Sequence, residues 1–344
     1  MKILISLHAY PPHHNAGGEM CTHNIAKYLV SKGHAVRVLV NESEKHGITI
    51  PYDIDGVEVW PRIKRIDILF HWCDSIITHL GWTHYTVGLA HVFHKPVFFV
   101  VHNTHFYPCV GDRARPVNVI YNCQAAKNIL QYPQPNIVLP PPVDYRDFDL
   151  GQDPAHNKYI TLINLNENKG GKILYQLARA MPERKFLAVK GSYDPQIIED
   201  LPNVHHMDHT HDIKEVYRKT RILIMPSEYE SWGMCATEAM SNGIPVICTP
   251  TFGLKENCGD AALYVGKEPA EAKKGSGDDA ELPKVTGRDD IQAWVRQIRS
   301  LDNKKTYLHQ SNLSRERARF HDPQKRYEEL LAFVINPNDP KFIS

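Results

Sequence analysis

Residues 222–256 read ILIMPSEYESWGMCATEAMSNGIPVICTPTFGLKE. The apolar run Ile222 to Met225 predicts a strand buried on both faces of a parallel sheet. Pro226 and Ser227 end it. Glu230 follows, then a tight turn at Gly233 and a helix carrying Glu238. Gly243 and Pro245 close the helix, and Val246 to Cys248 is the next buried strand. A helix that starts after a strand presents unpaired N–H groups and the positive end of its dipole. Gly233 lets a ligand approach the backbone. The amides of Gly233, Met234 and Cys235 therefore suit an anion such as a diphosphate. Glu230 stands before the turn, where it can meet the far end of such a ligand. Glu238, about one to two turns into the helix, can accept hydrogen bonds from a polyol such as ribose.

Upstream, Tyr159 to Leu165 predicts the first strand of a domain, followed by the turn ENKGGK at 167–172 and a helix with Ile173, Leu174, Leu177, Ala178 and Met181 on one side. Lys185 to Val189 is a further strand. Before this domain, PPPVDYRDF at 140–148 reads as a linker. The N-terminal part opens on a strand at Lys2 to Leu7, the loop HAYPPHHNAGGE at 8–19, a helix with Cys21, Ile25, Ala26 and Leu29 on one face, and a strand at Ala35 to Val40. Glycines at this strand-to-helix turn favour phosphate, but the pattern is not GxGxxG, which argues against a nicotinamide cofactor. Strands are expected at Val57 to Pro61, Ser75 to Leu80, Pro96 to Val101 and Val117 to Tyr121, with helices at Thr86 to Phe93 and Cys123 to Leu130; Ile137 to Leu139 leads into the linker. Downstream, 267–290 reads as a polar surface loop. Helices follow at Asp290 to Leu301 and Tyr307 to Phe320, and a last one capped by Asp322 with Pro323 at its first position.

The chain has 344 residues, enough for two domains. A formal charge of +1 gives no global field for nucleic acid. No apolar run reaches membrane-spanning length. Seven cysteines, with no CxxC pair, fit reduced thiols and a cytoplasmic location. The histidine- and aspartate-rich segment 205–212 does not match a known metal-ligand spacing.

The string PSxxExxGxxxxEAMxxGxPVI at 226–247 resembles the donor-site signature of retaining glycosyltransferases of the GT-B fold, family 4-like (glycosyl transferases group 1). The resemblance implies an α/β protein with two Rossmann-like domains facing across a cleft. Its expected parts are an acceptor-binding domain at 1–145, a nucleotide-sugar donor domain at 146–318, and a C-terminal helix at 319–344 crossing back to the first. It implies transfer of a sugar from a UDP- or GDP-sugar to a hydroxyl acceptor, with retention. The alternative is a non-catalytic sugar-nucleotide binder or partner subunit of the same shape.

The resemblance also assigns residues. Lys169 and Gly170 match a lysine–glycine pair that holds donor phosphate, and Gly17 and Gly18 match a loop facing the same phosphates. His102 matches a histidine close to the reacting sugar; with Lys169 and Glu230 it completes the catalytic set. Asn164 stands where most relatives carry an arginine, so one guanidinium is missing from the leaving-group site. Lys172 or Lys190 could substitute. His209 is expected to border the base pocket. No metal ligand and no cofactor are assigned: protein groups, not Mg²⁺, are expected to meet the diphosphate charge. In the loops 8–16 and 102–112, Tyr10, His13, His14, His105, Phe106 and Tyr107 could stack on a sugar or pack the loops. A peripheral membrane contact is left open.

Overall fold

A computed structural model of the chain describes residues 1–210, 212–269 and 284–343. His211 and most of the loop expected at 267–290 lie outside the described residues. Among the described residues the chain divides into two units: 1–142 together with 323–343, and 143–269 together with 284–322.

The first unit is built on an eight-stranded sheet of β1 (Lys2–Leu7), β2 (Ala35–Val40), β3 (Tyr52–Ile54), β4 (Val57–Pro61), β5 (Ser75–Thr78), β6 (Val97–Val101), β7 (Asn118–Tyr121) and β8 (Asn136–Val138), in the order β3-β4-β2-β1-β5-β6-β7-β8. Every pairing is parallel except β3 with β4. The reason is legible in runs such as VFFVV at 97–101, buried on both faces. From β1 the chain passes to β2 on one side and later returns to β5 on the other. The gap between the ends of β1 and β5 is therefore the topological switch point, where open α/β sheets take ligands. The Pro323–Ile335 helix packs on this unit. Tyr327 stacks on Tyr28 with centroids 4.1 Å apart, and Phe333 meets Phe98 edge-on at 5.4 Å.

The second unit holds a six-stranded, all-parallel sheet of β9 (Tyr159–Ile163), β10 (Lys185–Val189), β11 (Val204–Met207), β12 (Thr220–Met225), β13 (Val246–Cys248) and β14 (Ala262–Tyr264), in the order β11-β10-β9-β12-β13-β14. Its switch point lies between β9 and β12. The Gly171–Ala180 helix buries Ile173, Leu174, Leu177 and Ala178 in one core with Trp294, Val295 and Ile298. Each such side chain contributes about 1.5–3 kcal/mol of burial.

Three expectations change. The strand expected at Ser75 to Leu80 stops at Thr78, because Leu80 turns left-handed (φ 52°) into a 3₁₀ turn, Leu80–Trp82. Residues 136–138 do not simply lead into the linker but form the edge strand β8. The β3–β4 hairpin went unread, although Asp55-Gly56, both at positive φ, is the dipeptide such a turn requires. Among the described residues no helix is long and apolar enough to cross a membrane, and all seven cysteines are free.

Candidate functional site

In the second unit, two loops leave the sheet at its switch point, 164–170 after β9 and 226–233 after β12. Hydrogen bonds tie them together. The Glu228 and Tyr229 amides donate to the carbonyl and Oδ1 of Asn168 (2.8 and 3.1 Å), and Asn168 Nδ2 donates to the Tyr229 carbonyl (3.2 Å). Gly170 caps the following helix at φ 85°, and a Cβ there would lie 2.6 Å from Pro226 Cγ and 2.8 Å from its carbonyl. Only glycine fits both demands. The Arg288 guanidinium reaches into the same junction and donates to the carbonyls of Asn168 and Pro226 (3.2 and 3.3 Å).

This stitching brings the Lys169 ammonium onto Glu230 Oε1. Both side chains are largely buried. Burial alone would lower Lys169, but the Glu230 carboxylate outweighs it and holds the ammonium above its usual range. The Tyr193 phenol lies within electrostatic reach of the pair; burial raises it, and Lys169 opposes the rise.

Gly233 starts the Met234–Ser241 helix at φ 84°. A Cβ there would meet Leu254 Cδ2 at 2.7 Å. The buried Asn257 fixes the turn by donating from Nδ2 to the Trp232 and Gly233 carbonyls (3.1 and 3.0 Å). Met234 and Cys235 form the first turn of the helix. One turn further, Glu238 is buried, and Tyr217 donates its hydroxyl to Glu238 Oε2 (2.6 Å). Burial pushes this carboxyl up to about 7 against the pull of the Tyr217 hydrogen bond.

Other assigned residues of this unit lie differently. Asn164 is buried at φ 70°, a conformation asparagine tolerates better than arginine. Its Oδ1 accepts from Gln196 Nε2 and the Asn166 amide (3.0 and 3.2 Å). The side chain thus organises the loop. Lys190 pairs with Asp208 at 2.7 Å on the surface, and Lys172 with Glu167 at 2.8 Å, so each already has a carboxylate partner. His209 is exposed beyond β11.

In the first unit, Gly17 and Gly18 open the Gly17–Ser31 helix, whose N-cap Ala16 makes no side-chain cap. A Cβ on Gly18 would stand 3.4 Å from His102 Cδ2 and 3.6 Å from His79 Cε1. His102 follows β6; burial and the nearby His8 pull it down to about 4, so the ring is neutral. Around it gather His8, His79 and Glu19. His8 Nε2 lies 3.2 Å, and His79 Nε2 3.7 Å, from Glu19 Oε1. Burial pushes Glu19 up to about 7. Three of the loop aromatics pack within the first unit. Tyr10 is fully buried with its hydroxyl on His23 Nδ1 (2.9 Å). Phe106 stacks on Tyr132, and Tyr107 packs on Phe99.

Residues 148–274 match the family model of glycosyl transferases group 1. An uncharacterized glycosyltransferase of Methanocaldococcus jannaschii is 24% identical, with 74% of this chain and 82% of that protein covered. Over residues 148–274 the chain is thus similar to the group 1 glycosyltransferases.

Solved structures agree on the fold. Sucrose-phosphate synthase from Thermosynechococcus elongatus superposes with a TM-score of 0.71 at 15% identity, covering 97% of this chain and 98% of that one. The Anabaena protein HepE superposes with a TM-score of 0.69 at 16% identity, covering 98% and 99%. Both superpose on the α/β architecture of this chain, the GT-B fold. Several residues that build the site carry no sequence signal. Asn168, Tyr217, Asn257 and Arg288 act through tertiary hydrogen bonds, and only the strand-to-helix position of their loops could have drawn attention to them.

Proposed function

We propose that the chain transfers a sugar, with retention at the anomeric carbon, from a nucleotide diphosphate-sugar to a hydroxyl acceptor, and that it needs no metal at the diphosphate. The observation that carries the reading is the Lys169–Glu230 pair at the switch point of the second sheet, next to a helix N-terminus opened by Gly233. A leaving diphosphate needs fixed positive charge, and Lys169 with the amides of Gly233 and Met234 offers it. Glu230 is placed to take sugar hydroxyls and to favour positive charge at the ring as the bond to phosphate breaks. Glu238 has one oxygen held by Tyr217 and one for ribose hydroxyls. The leaving phosphate takes the acceptor's proton, so no separate base is required. On the first unit, the amides of Gly17 and Gly18 and the neutral ring of His102 are the groups assigned to the substrate. The Anabaena neighbour was solved with UDP and glucose, which favours a UDP-sugar as the first donor to test. Free thiols persist in a reducing compartment, and the reading places the enzyme in the cytoplasm.

A second reading has one observation in its favour: Asn164 supplies no charge where the resemblance implies an arginine, so the chain would bind nucleotide-sugars without turning them over. The experiment is calorimetric titration with UDP, GDP and ADP in the absence of metal, followed by release assays with the matching nucleotide-sugars. Binding of one nucleotide with slow donor hydrolysis, and a loss of about 10²–10³ in rate for Lys169→Ala, supports the transferase. Binding with no turnover over a broad acceptor panel supports the second reading. Absence of any nucleotide binding overturns both.

A further inference from the structure

We propose that His8, Glu19 and His79 form a binding site for a divalent transition-metal ion of the zinc class, in the first unit beside Gly18 and His102. Fold topology assembles the site. His8 directly follows β1, His79 directly follows β5, and Glu19 lies in the first turn of the helix that returns from β1. All three meet at the switch point of the sheet. The sequence reading assigned no metal ligand, because 60 residues separate Glu19 from His79 and no spacing motif joins them.

The donor atoms are already gathered. His8 Nε2 and His79 Nε2 lie 3.2 and 3.7 Å from Glu19 Oε1, and the three donors fall within 4.8 Å of one another. Two donors 2.0–2.2 Å from a tetrahedral ion stand about 3.3–3.6 Å apart. The atoms also lack other employment. Glu19 is 2% and His79 0% exposed, yet Glu19 Oε1 and His79 Nε2 have no hydrogen-bond partner among the described residues. Such groups are rare in a buried setting and call for an explanation.

The tautomer of His79 follows from its other nitrogen. Thr22 Oγ1 donates its proton to the Gly18 carbonyl (2.9 Å), so towards His79 Nδ1 (3.3 Å) it acts as acceptor. His79 therefore carries its proton on Nδ1 and turns the lone pair of Nε2 towards Glu19. Two acceptors face each other in a buried space, which is unfavourable unless a cation or a proton lies between them. A ligating histidine whose second nitrogen donates to a fixed oxygen is the arrangement of metal sites. Two imidazoles and one carboxylate suit zinc-class ions, whereas Mg²⁺ and Ca²⁺ prefer oxygen alone. Three protein ligands leave a coordination position for water or a substrate oxygen.

The test uses the untagged full chain, made metal-free and titrated with Co²⁺ and Zn²⁺ under equilibrium dialysis, with Mg²⁺ as control. One Co²⁺ per chain, with visible d–d absorption of low coordination number and displacement by Zn²⁺, is expected. His8→Ala, at the accessible rim of the site, is expected to abolish the absorption with an unchanged circular dichroism spectrum. Thr22→Val keeps all three ligands and is expected to weaken Co²⁺ about 10–100-fold. A double variant of the exposed His205 and His209 should bind as wild type. No stoichiometric binding overturns the site and leaves a proton between Glu19 and His79; so does binding that survives His8→Ala or is lost with His205 and His209. The outcome does not depend on nucleotide binding by the second unit, which the same protein samples report separately.

Discussion

At the scale of single residues, Lys169 and Glu230 neutralise each other, and that sets what each substitution does. Glu230→Gln removes the charge that holds the ammonium, so Lys169 becomes fully available to a diphosphate. Nucleotide diphosphate is expected to bind several-fold more tightly to this variant, while turnover of the nucleotide-sugar falls about 10²-fold or more, since the group facing the sugar has lost its charge. Calorimetry and initial rates separate the two effects; a parallel loss of both refutes the assignment. Glu238 gives a pH-dependent counterpart. Its carboxyl is raised from 4.5 to about 7 by burial. The folded state therefore holds a proton that the unfolded chain has lost between these values. Stability should fall as pH rises through this window, by up to about 3 kcal/mol if nothing relaxes. Urea unfolding at pH 5 and pH 8 is expected to show that fall in the wild type and a smaller one in Glu238→Gln. Ribose hydroxyls donate to the ionised form, so nucleotide binding near pH 6.5 should release a proton. Calorimetry in buffers of different ionisation enthalpy reads that release, and Glu238→Gln should lack it.

At the scale of elements, glycines decide where the site loops can go. Gly170 and Gly33 both sit at positive φ, 85° and 82°. A Cβ on Gly33 would meet nothing within 4 Å, whereas one on Gly170 would press on the Pro226 backbone. Gly33→Ala should thus cost only the backbone term, about 1 kcal/mol, and Gly170→Ala about 2–4 kcal/mol, with weaker nucleotide binding because the 164–170 and 226–233 loops are forced apart. Equal costs in urea unfolding would contradict the packing argument. The same scale shows what could be read beforehand. Buried parallel strands are continuous apolar runs, and β1, β6, β10 and β13 lie where such runs stand. The Phe252–Cys258 helix and the three-residue β14 are too short for periodicity to show. They are set by packing: Gly253 lies against the Glu230 and Ser231 backbone, where a Cβ would come within 2.5 Å of the Glu230 carbonyl. The site divides likewise. Lys169, Glu230 and Gly233 stand in recognisable turns. Asn168 and Arg288 gain their places from partners 60 or more residues away, and the His8, Glu19 and His79 cluster exists only once β1 and β5 are neighbours.

At the scale of the whole molecule, the chain order and the units differ, because Pro323 to the C-terminus belongs with the first unit. The Pro323–Ile335 helix buries Leu330, Phe333 and Val334 almost completely, and Phe342 closes over Phe333 with centroids 4.9 Å apart. At about 1.5–3 kcal/mol each, these four side chains contribute about 6–12 kcal/mol, comparable with the entire stability of an ordinary domain. A chain ending at Asp322 should therefore lose the first unit selectively. Hydrogen exchange by mass spectrometry is expected to show lost protection in the Gly17–Ser31 helix, which meets Tyr327 through Tyr28, and in β6, which carries Phe98 opposite Phe333. The Gly171–Ala180 helix and β12 keep their own core of Leu174, Leu177, Ile224 and Trp294, so their protection should persist. Nucleotide binding then becomes informative. If Lys169, Gly233 and Glu238 hold the nucleotide by themselves, the truncated chain still binds it while sugar transfer is lost. If exchange rises evenly over both units, the two do not fold independently, and the terminal segment stabilises the whole chain, not one unit.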